Sequence, residues 1–170
     1  EHHGRIRVES EPGDGAEFII ELPIADLNLT ETVASRALSA RPWPTVLRVL
    51  AIDDEESILQ LVKDLLQRDG HSVDTAGSGS AAHELIARNK YDVIVSDWKM
   101  PGLNGMQLFE DLQAQNPRAA NRMLFMTGDV IKESFQEFLK KHNRTCLPKP
   151  FSVREFQAAV SKLAALNGDA

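Results

Sequence analysis

Cysteine is almost missing from this chain: Cys146 is the only one in 170 residues. An intramolecular disulfide is therefore excluded, and the composition suits a reducing, cytoplasmic setting. Long apolar runs are missing as well. None approaches the roughly 20 residues that would span a bilayer, and no secretory leader pattern is present, so these residues are not expected to contact a membrane. Basic clusters are absent: 19 Lys and Arg stand against 25 Asp and Glu, for a net charge of −6. Nucleic-acid binding usually leaves a basic patch, and no such partner is expected here. The histidines His2, His3, His71, His83 and His142 are scattered, without metal-ligand spacing. They read as surface or hairpin residues, not as zinc ligands or phosphohistidines.

What is present is an ordinary globular balance, 42% hydrophobic and 26% charged. The chain opens on Glu1, without Met and inside a strand-like pattern, and reads as a piece of something longer. Its pattern divides at 1–24, 25–46 and 47–170 into a hairpin, a linker and a main domain. In the hairpin, Arg5, Ile6, Arg7, Val8 and Glu9 alternate polar with apolar, and so does part of residues 17–22. Pro12, Gly13, Asp14 and Gly15 supply the turn. A lone two-stranded hairpin is marginal in water, so it must pack on a neighbour; a dimer through the hairpin is one way. The linker carries a short helical pattern over 30–40, with Thr30 as N-cap, ended by Pro42 and Pro44.

The stretch 91–105, YDVIVSDWKMPGLNG, organises the main domain. Val93, Ile94 and Val95 form a β-branched run of the kind buried on both faces of a parallel sheet. The run stops at Ser96 and Asp97, and Pro101, Gly102 and Gly105 break the chain before a helix. Similar apolar runs stand at 49–52, 123–126 and 145–147, with a weaker edge-like run at 72–76. Helical faces alternate with them. They are marked by Ile58, Leu59, Val62, Leu65 and Leu66; by Ala82, Leu85 and Ile86 behind Ser80 as cap; and by Met106, Phe109 and Leu112, stopped near Pro117. Two more follow, at Ile131, Phe135, Phe138 and Leu139, and at Val153, Phe156, Val160, Leu163 and Leu166. Strictly alternating units of this kind predict an α/β domain, a parallel sheet with helices on both faces.

All strands of a parallel sheet end on one edge. That edge here receives Asp53 and Asp54, Asp97, Thr127 and Lys149, each just beyond an apolar run. Any one of them alone reads as a cap, a turn residue or a solvated charge. Together they make a site, because ligands of open α/β sheets bind at the carboxyl ends of the strands. Crowded carboxylates repel unless a cation joins them, and hard oxygen ligands in a wet cleft suit Mg²⁺. One carboxylate could then attack phosphorus, giving an aspartyl phosphate. The charge that spreads over the phosphoryl oxygens would be met by Mg²⁺, the Lys149 ammonium and the Thr127 hydroxyl. A sharp reversal is needed between Lys149 and a Ser152 cap, which predicts a cis Lys149–Pro150 bond.

The motifs IDDEES, VSDWKMPGLNG, FMTGD and LPKPF resemble those of a response-regulator receiver domain of the CheY-like type, over residues 47 to about 166. The resemblance implies a flavodoxin-like (βα)5 fold with strand order 2-1-3-4-5. It implies Asp97 as phosphoacceptor, with Thr127 and Lys149 holding the phosphoryl group. It implies Mg²⁺ on Asp53, Asp54, Asp97 and the backbone carbonyl of Lys99. One departure is Cys146, where the family usually carries an aromatic switch residue. The first residues resemble the last hairpin of a histidine-kinase ATP-binding domain, through His2, Gly4, Arg5, Ile6, Ser10, Gly13, Gly15, Phe18, Leu22 and Pro23. His3 and Ala16 depart from that pattern, and the nucleotide-binding motifs are missing, so ATP binding is not expected. Kinase tail, linker and receiver in this order resemble a hybrid sensor histidine kinase. The implied role is a phosphorelay receiver, itself no enzyme beyond slow self-dephosphorylation. Its partners would be a phosphohistidine of a histidine kinase or phosphotransfer domain and a downstream protein not identified by the sequence. The output face would be formed by its last two helices. Two alternatives stand beside it: an aspartyl-phosphate hydrolase of haloacid dehalogenase type, weakened because Asp53 and Asp54 are adjacent where Asp-x-Asp is wanted, and a docking receiver that is never phosphorylated.

Overall fold

A computed structural model describes residues 5–11, 15–21, 46–128 and 132–167. The linker with its 30–40 helical pattern, hairpin turn residues 12–14, His2, His3, Asp129 and Ile131 lie outside the described residues. The chain divides into two compact units. The first is an antiparallel pair, β1 (Arg5–Glu11) with β2 (Gly15–Glu21), in the register Ile6 to Ile20 and Val8 to Phe18. Residues opposite one another share a face, so these four make one apolar face, and all four are exposed.

The second unit is a five-stranded parallel sheet. Its elements are β3 (Arg48–Ile52), α1 (Glu56–Arg68), β4 (Ser72–Ala76), α2 (Gly79–Arg88), β5 (Val93–Asp97), α3 (Gly105–Gln115), α4 (Pro117–Asn121), β6 (Met123–Thr127), α5 (Glu133–His142), β7 (Cys146–Pro148) and α6 (Val153–Asn167). The strand order is β4-β3-β5-β6-β7, the expected 2-1-3-4-5 when only this sheet's strands are counted. β4 is an edge strand, as its weaker pattern implied, and the Lys149–Pro150 bond is cis.

Alternation along each strand sends side chains to two separate cores. Val49, Ala51, Val93, Val95, Leu124 and Met126 pack with Val62 and Leu66 of α1 and Phe156 and Val160 of α6. Leu50, Ile52, Ile94 and Phe125 pack on the other face with Ile86, Leu108, Phe109, Phe135 and Phe138. The central strands β5 and β6 are buried at every residue, which is why their sequences read as unbroken apolar runs.

Several local expectations are corrected. Ser78, not Ser80, caps α2, accepting the Ala81 N–H at 3.2 Å. α3 ends at Gln115, near Pro117 as expected, and Pro117 in addition opens the short α4, capped by Asn116, a position where a missing N–H costs nothing. Val153 and Leu166 of α6 are exposed, and only Phe156 and Val160 are fully buried. His71 is a core residue, its Nδ1 accepting the Leu47 N–H at 3.1 Å. His142 packs edge-on to Phe109, with ring centroids 5.0 Å apart.

Candidate functional site

Asp53 follows β3, Asp97 ends β5, Thr127 ends β6 and Lys149 follows β7. Adjacent parallel strands β3, β5 and β6 bring the first three side by side, and β7 closes the row. Lys149 reaches back across it. Its Nζ donates to Asp53 Oδ2 and to Asp97 Oδ1, each at 2.7 Å. The remaining oxygens are also engaged: Asp53 Oδ1 accepts the Glu55 N–H at 2.9 Å, and Asp97 Oδ2 accepts the Lys99 N–H at 2.7 Å. Asp53, Asp97 and Thr127 are buried.

Burial pushes the Asp97 carboxyl above its ordinary value, and the hydrogen bonds from Lys149 and Lys99 oppose this without cancelling it. The same burial works against charge on Lys149, but two carboxylates outweigh it and hold the ammonium above its usual range. Two buried acids and one half-buried base leave an excess of negative charge at the sheet edge. An added cation would relieve it.

Not all the expected carboxylates meet. Asp54 is exposed and lines a neighbouring open cavity with Glu56, Gln60 and Lys63. The physical reason is the strand period: consecutive side chains leave a strand end in opposite directions, so Asp53 turns in and Asp54 turns out. Among the described residues no group of three or more His, Cys, Asp or Glu is placed to hold a metal ion. A pair of buried carboxylates already sharing one cation still fits Mg²⁺ by donor chemistry, since that ion is usually held by one or two carboxylates and keeps several waters. Asp53 and Asp97, with the Lys99 carbonyl in the same loop, are the residues that could hold it; Asp54 would have to swing in or act through water.

Sequence reasoning missed the residues that shape the backbone around Asp97. Ser96 Oγ donates to the Asp97 carbonyl oxygen at 2.9 Å. Gly105 opens α3 beneath that carbonyl; a Cβ there would fall inside the 3.0 Å that real Cβ atoms respect. Gly79, at the start of α2, lies equally tight on the Leu103 carbonyl. Asn104 and Gln107 form a reciprocal capping box at α3, and the Asn-x-x-Gln spacing was the available signal for it. Trp98, next to Asp97, buries its ring against Phe135 and Phe138 of α5, at 4.5 and 4.8 Å between centroids. Cys146 is partly buried against the same core, and burial raises its thiol pKa.

Residues 49–161 match the family described as "Response regulator receiver domain". Among curated proteins, the chain is 29% identical over 160 residues to the aerobic respiration control sensor protein ArcB of Escherichia coli, covering 94% of this chain and 20% of that protein. It is 28% identical over 160 residues to the E. coli sensor protein EvgS, covering 94% of this chain and 13% of the relative. The chain thus spans a fifth or less of the length of these sensors. Among solved structures, a Francisella response regulator 1452 receiver domain superposes with a TM-score of 0.63 at 35% identity, covering 71% of this chain and 98% of that one. Vibrio cholerae CheY4 gives 0.63 at 28% identity, covering 70% and 99%. With that match laid over the row of Asp53, Asp97, Thr127 and Lys149, the chain belongs to the response regulator receiver domain family.

Proposed function

We propose that this chain accepts a phosphoryl group on Asp97 from a phosphohistidine, with Mg²⁺, as the receiver of a hybrid sensor histidine kinase. The observation that carries the reading is the Lys149 ammonium shared by the Asp53 and Asp97 carboxylates at 2.7 Å each. In the reaction the Asp97 carboxylate forms an O–P bond as the donor's N–P bond breaks, and the imidazole leaves with its electron pair. Asp97 is suited to this by position: it ends a rigid central strand and is held from below by Ser96 and Gly105. Lys149 would move from the carboxylates to the incoming phosphoryl oxygens, and Thr127, which ends the neighbouring strand on the same edge, would offer its hydroxyl. Bound between Asp53 and Asp97, Mg²⁺ would neutralise charge on the transferring group.

The order of units supports the wider context. The hairpin reads as the end of a kinase ATP-binding domain, residues 25–46 as linker and 47–170 as receiver, and alignments to the ArcB and EvgS sensors run through 94% of the chain. The chain itself is an acceptor whose readout passes through the surface of α5 and α6 to another protein. Among the described residues no helix is long and apolar enough to cross a membrane, and a cytoplasmic setting follows from the proposed donor. Incubation with acetyl phosphate followed by intact mass tests the reading. One phosphoryl adduct is expected with Mg²⁺ and none in excess chelator; an adduct that ignores chelator overturns it.

A further inference from the structure

The opposite edge of the sheet, where the strands begin, holds a cavity that the proposed reaction does not use. It lies between the end of α2, the start of β5 and α4, and offers about 100 Å³, too little for a drug-sized ligand but enough for a phosphoryl group with a small apolar neighbour at its open mouth. Ile86 and Ile94 give it an apolar floor, while Lys90, Arg118 and Arg122 supply its charge. The amides of Asn89 and Asn116 complete the polar rim. No carboxylate lines it, although the chain carries a net charge of −6.

Solvated surface charge accounts for Lys90 taken singly, but not for Arg122, whose side chain is only 14% exposed. Its Nη1 donates to the Tyr91 carbonyl at 2.6 Å. The nearest carboxylate oxygen, Asp92 Oδ1, stands 3.9 Å away, and the other oxygen of Asp92 accepts the Arg48 N–H at 2.8 Å. A guanidinium has five N–H donors, and cations removed this far from water are ordinarily well paired. Arg122 therefore has capacity left for an anion in the cavity it lines.

We propose that this cavity binds a phosphate monoester with a small apolar body: the dianion meets Arg118, Arg122 and Lys90, and the body lies on Ile86 and Ile94. Three converging cations favour a dianion over a carboxylate, because planar guanidinium forks match phosphate oxygens in pairs. The site is separate from Asp97, at the other end of the same strand.

Phenyl phosphate is the probe. Titrated into the full chain and followed by amide chemical shifts, it should give saturable changes at residues 86–94 and 116–122. Benzoate should bind more weakly, and phenol should give no saturation. Arg118→Ala and Lys90→Ala, both at exposed positions, should each weaken binding about tenfold, as expected for one charge-assisted hydrogen bond. Arg122→Lys, which keeps the charge but loses the fork, should weaken it too. The proposal is overturned if the shifts fail to saturate, if they appear only around Asp97 and Lys149, if phenol or benzoate binds as well, or if the Arg118 and Lys90 variants bind like the parent.

Discussion

Gly79→Ala probes the packing that holds the loop between Asp97 and α3. Gly79 is the first residue of α2, behind the Ser78 cap, and its backbone is not left-handed. In open space the change would stabilise by about 0.4–1 kcal/mol, by restricting the unfolded chain. Here the added Cβ would fall on the Leu103 carbonyl oxygen and within 3.0 Å of Leu103 C and Cβ. Backbone atoms cannot rotate away, so the helix start and the loop must separate. Overpacking of this kind costs about 1–3 kcal/mol, which leaves a net loss of about 1–2 kcal/mol. Gly77→Ala is the control: it lies two residues earlier, with nothing within 4 Å of a built Cβ, and should be neutral or slightly stabilising. Urea unfolding separates the two. With a slope of about 1–3 kcal/mol per molar urea, their midpoints should differ by about 1 M. Because Leu103 shares its loop with Lys99, whose N–H holds Asp97 Oδ2, Gly79→Ala should also slow phosphorylation, and Gly77→Ala should not. Equal midpoints for the two variants, with an unchanged slope, would refute the packing argument.

Asp97→Asn should raise stability at pH 7. Burial lifts the Asp97 carboxyl above its ordinary 3.8, so the ionised group costs stability at neutral pH, and that cost fades as pH falls through the raised value towards 3.8. Urea midpoints at both ends of that window should therefore converge at the acidic end; a variant less stable at pH 7 contradicts this. His71 works in the opposite sense. Burial lowers its pKa below 6.5 against the pull of Asp69, so stability is intact above 6.5 and declines as pH falls below it. His71→Gln should flatten that decline, and a decline of equal slope would assign it to another group. Cys146→Ala should preserve the amide shifts that beryllofluoride induces at Thr127 and Gly128; their disappearance would make the thiol part of the switch.

The fold was legible because its central strands are buried on both faces and its helices on one. Val93, Ile94 and Val95, or Met123 to Met126, have no other reading once turn residues bound them. The row of site residues was legible for a related reason: a polar residue directly after such a run must surface at the strand's end. What the sequence hid was direction and local competition. Asp53 and Asp54 look equivalent in one dimension, and only the strand period sends one in and the other out. Ser78 and Ser80 are both competent caps, and Ser78, whose backbone stays extended ahead of the helix, is the one that accepts the Ala81 N–H. His71 carries no sign of burial in its neighbours, because its partner is the distant Leu47 N–H. Pro117 is a stop signal in sequence and α3 does end before it, but Asn116 is also a cap, and the new helix it starts was not legible.

The central claim is that Asp97 carries the phosphoryl group. Borohydride reduction converts an aspartyl phosphate to homoserine, which peptide mass spectrometry can place on the chain. After treatment with acetyl phosphate and Mg²⁺, homoserine should appear at position 97 alone, and the Asp97→Asn variant should yield none. Homoserine at Asp53 or Asp54, or a phosphoryl adduct that survives in Asp97→Asn, would contradict the account.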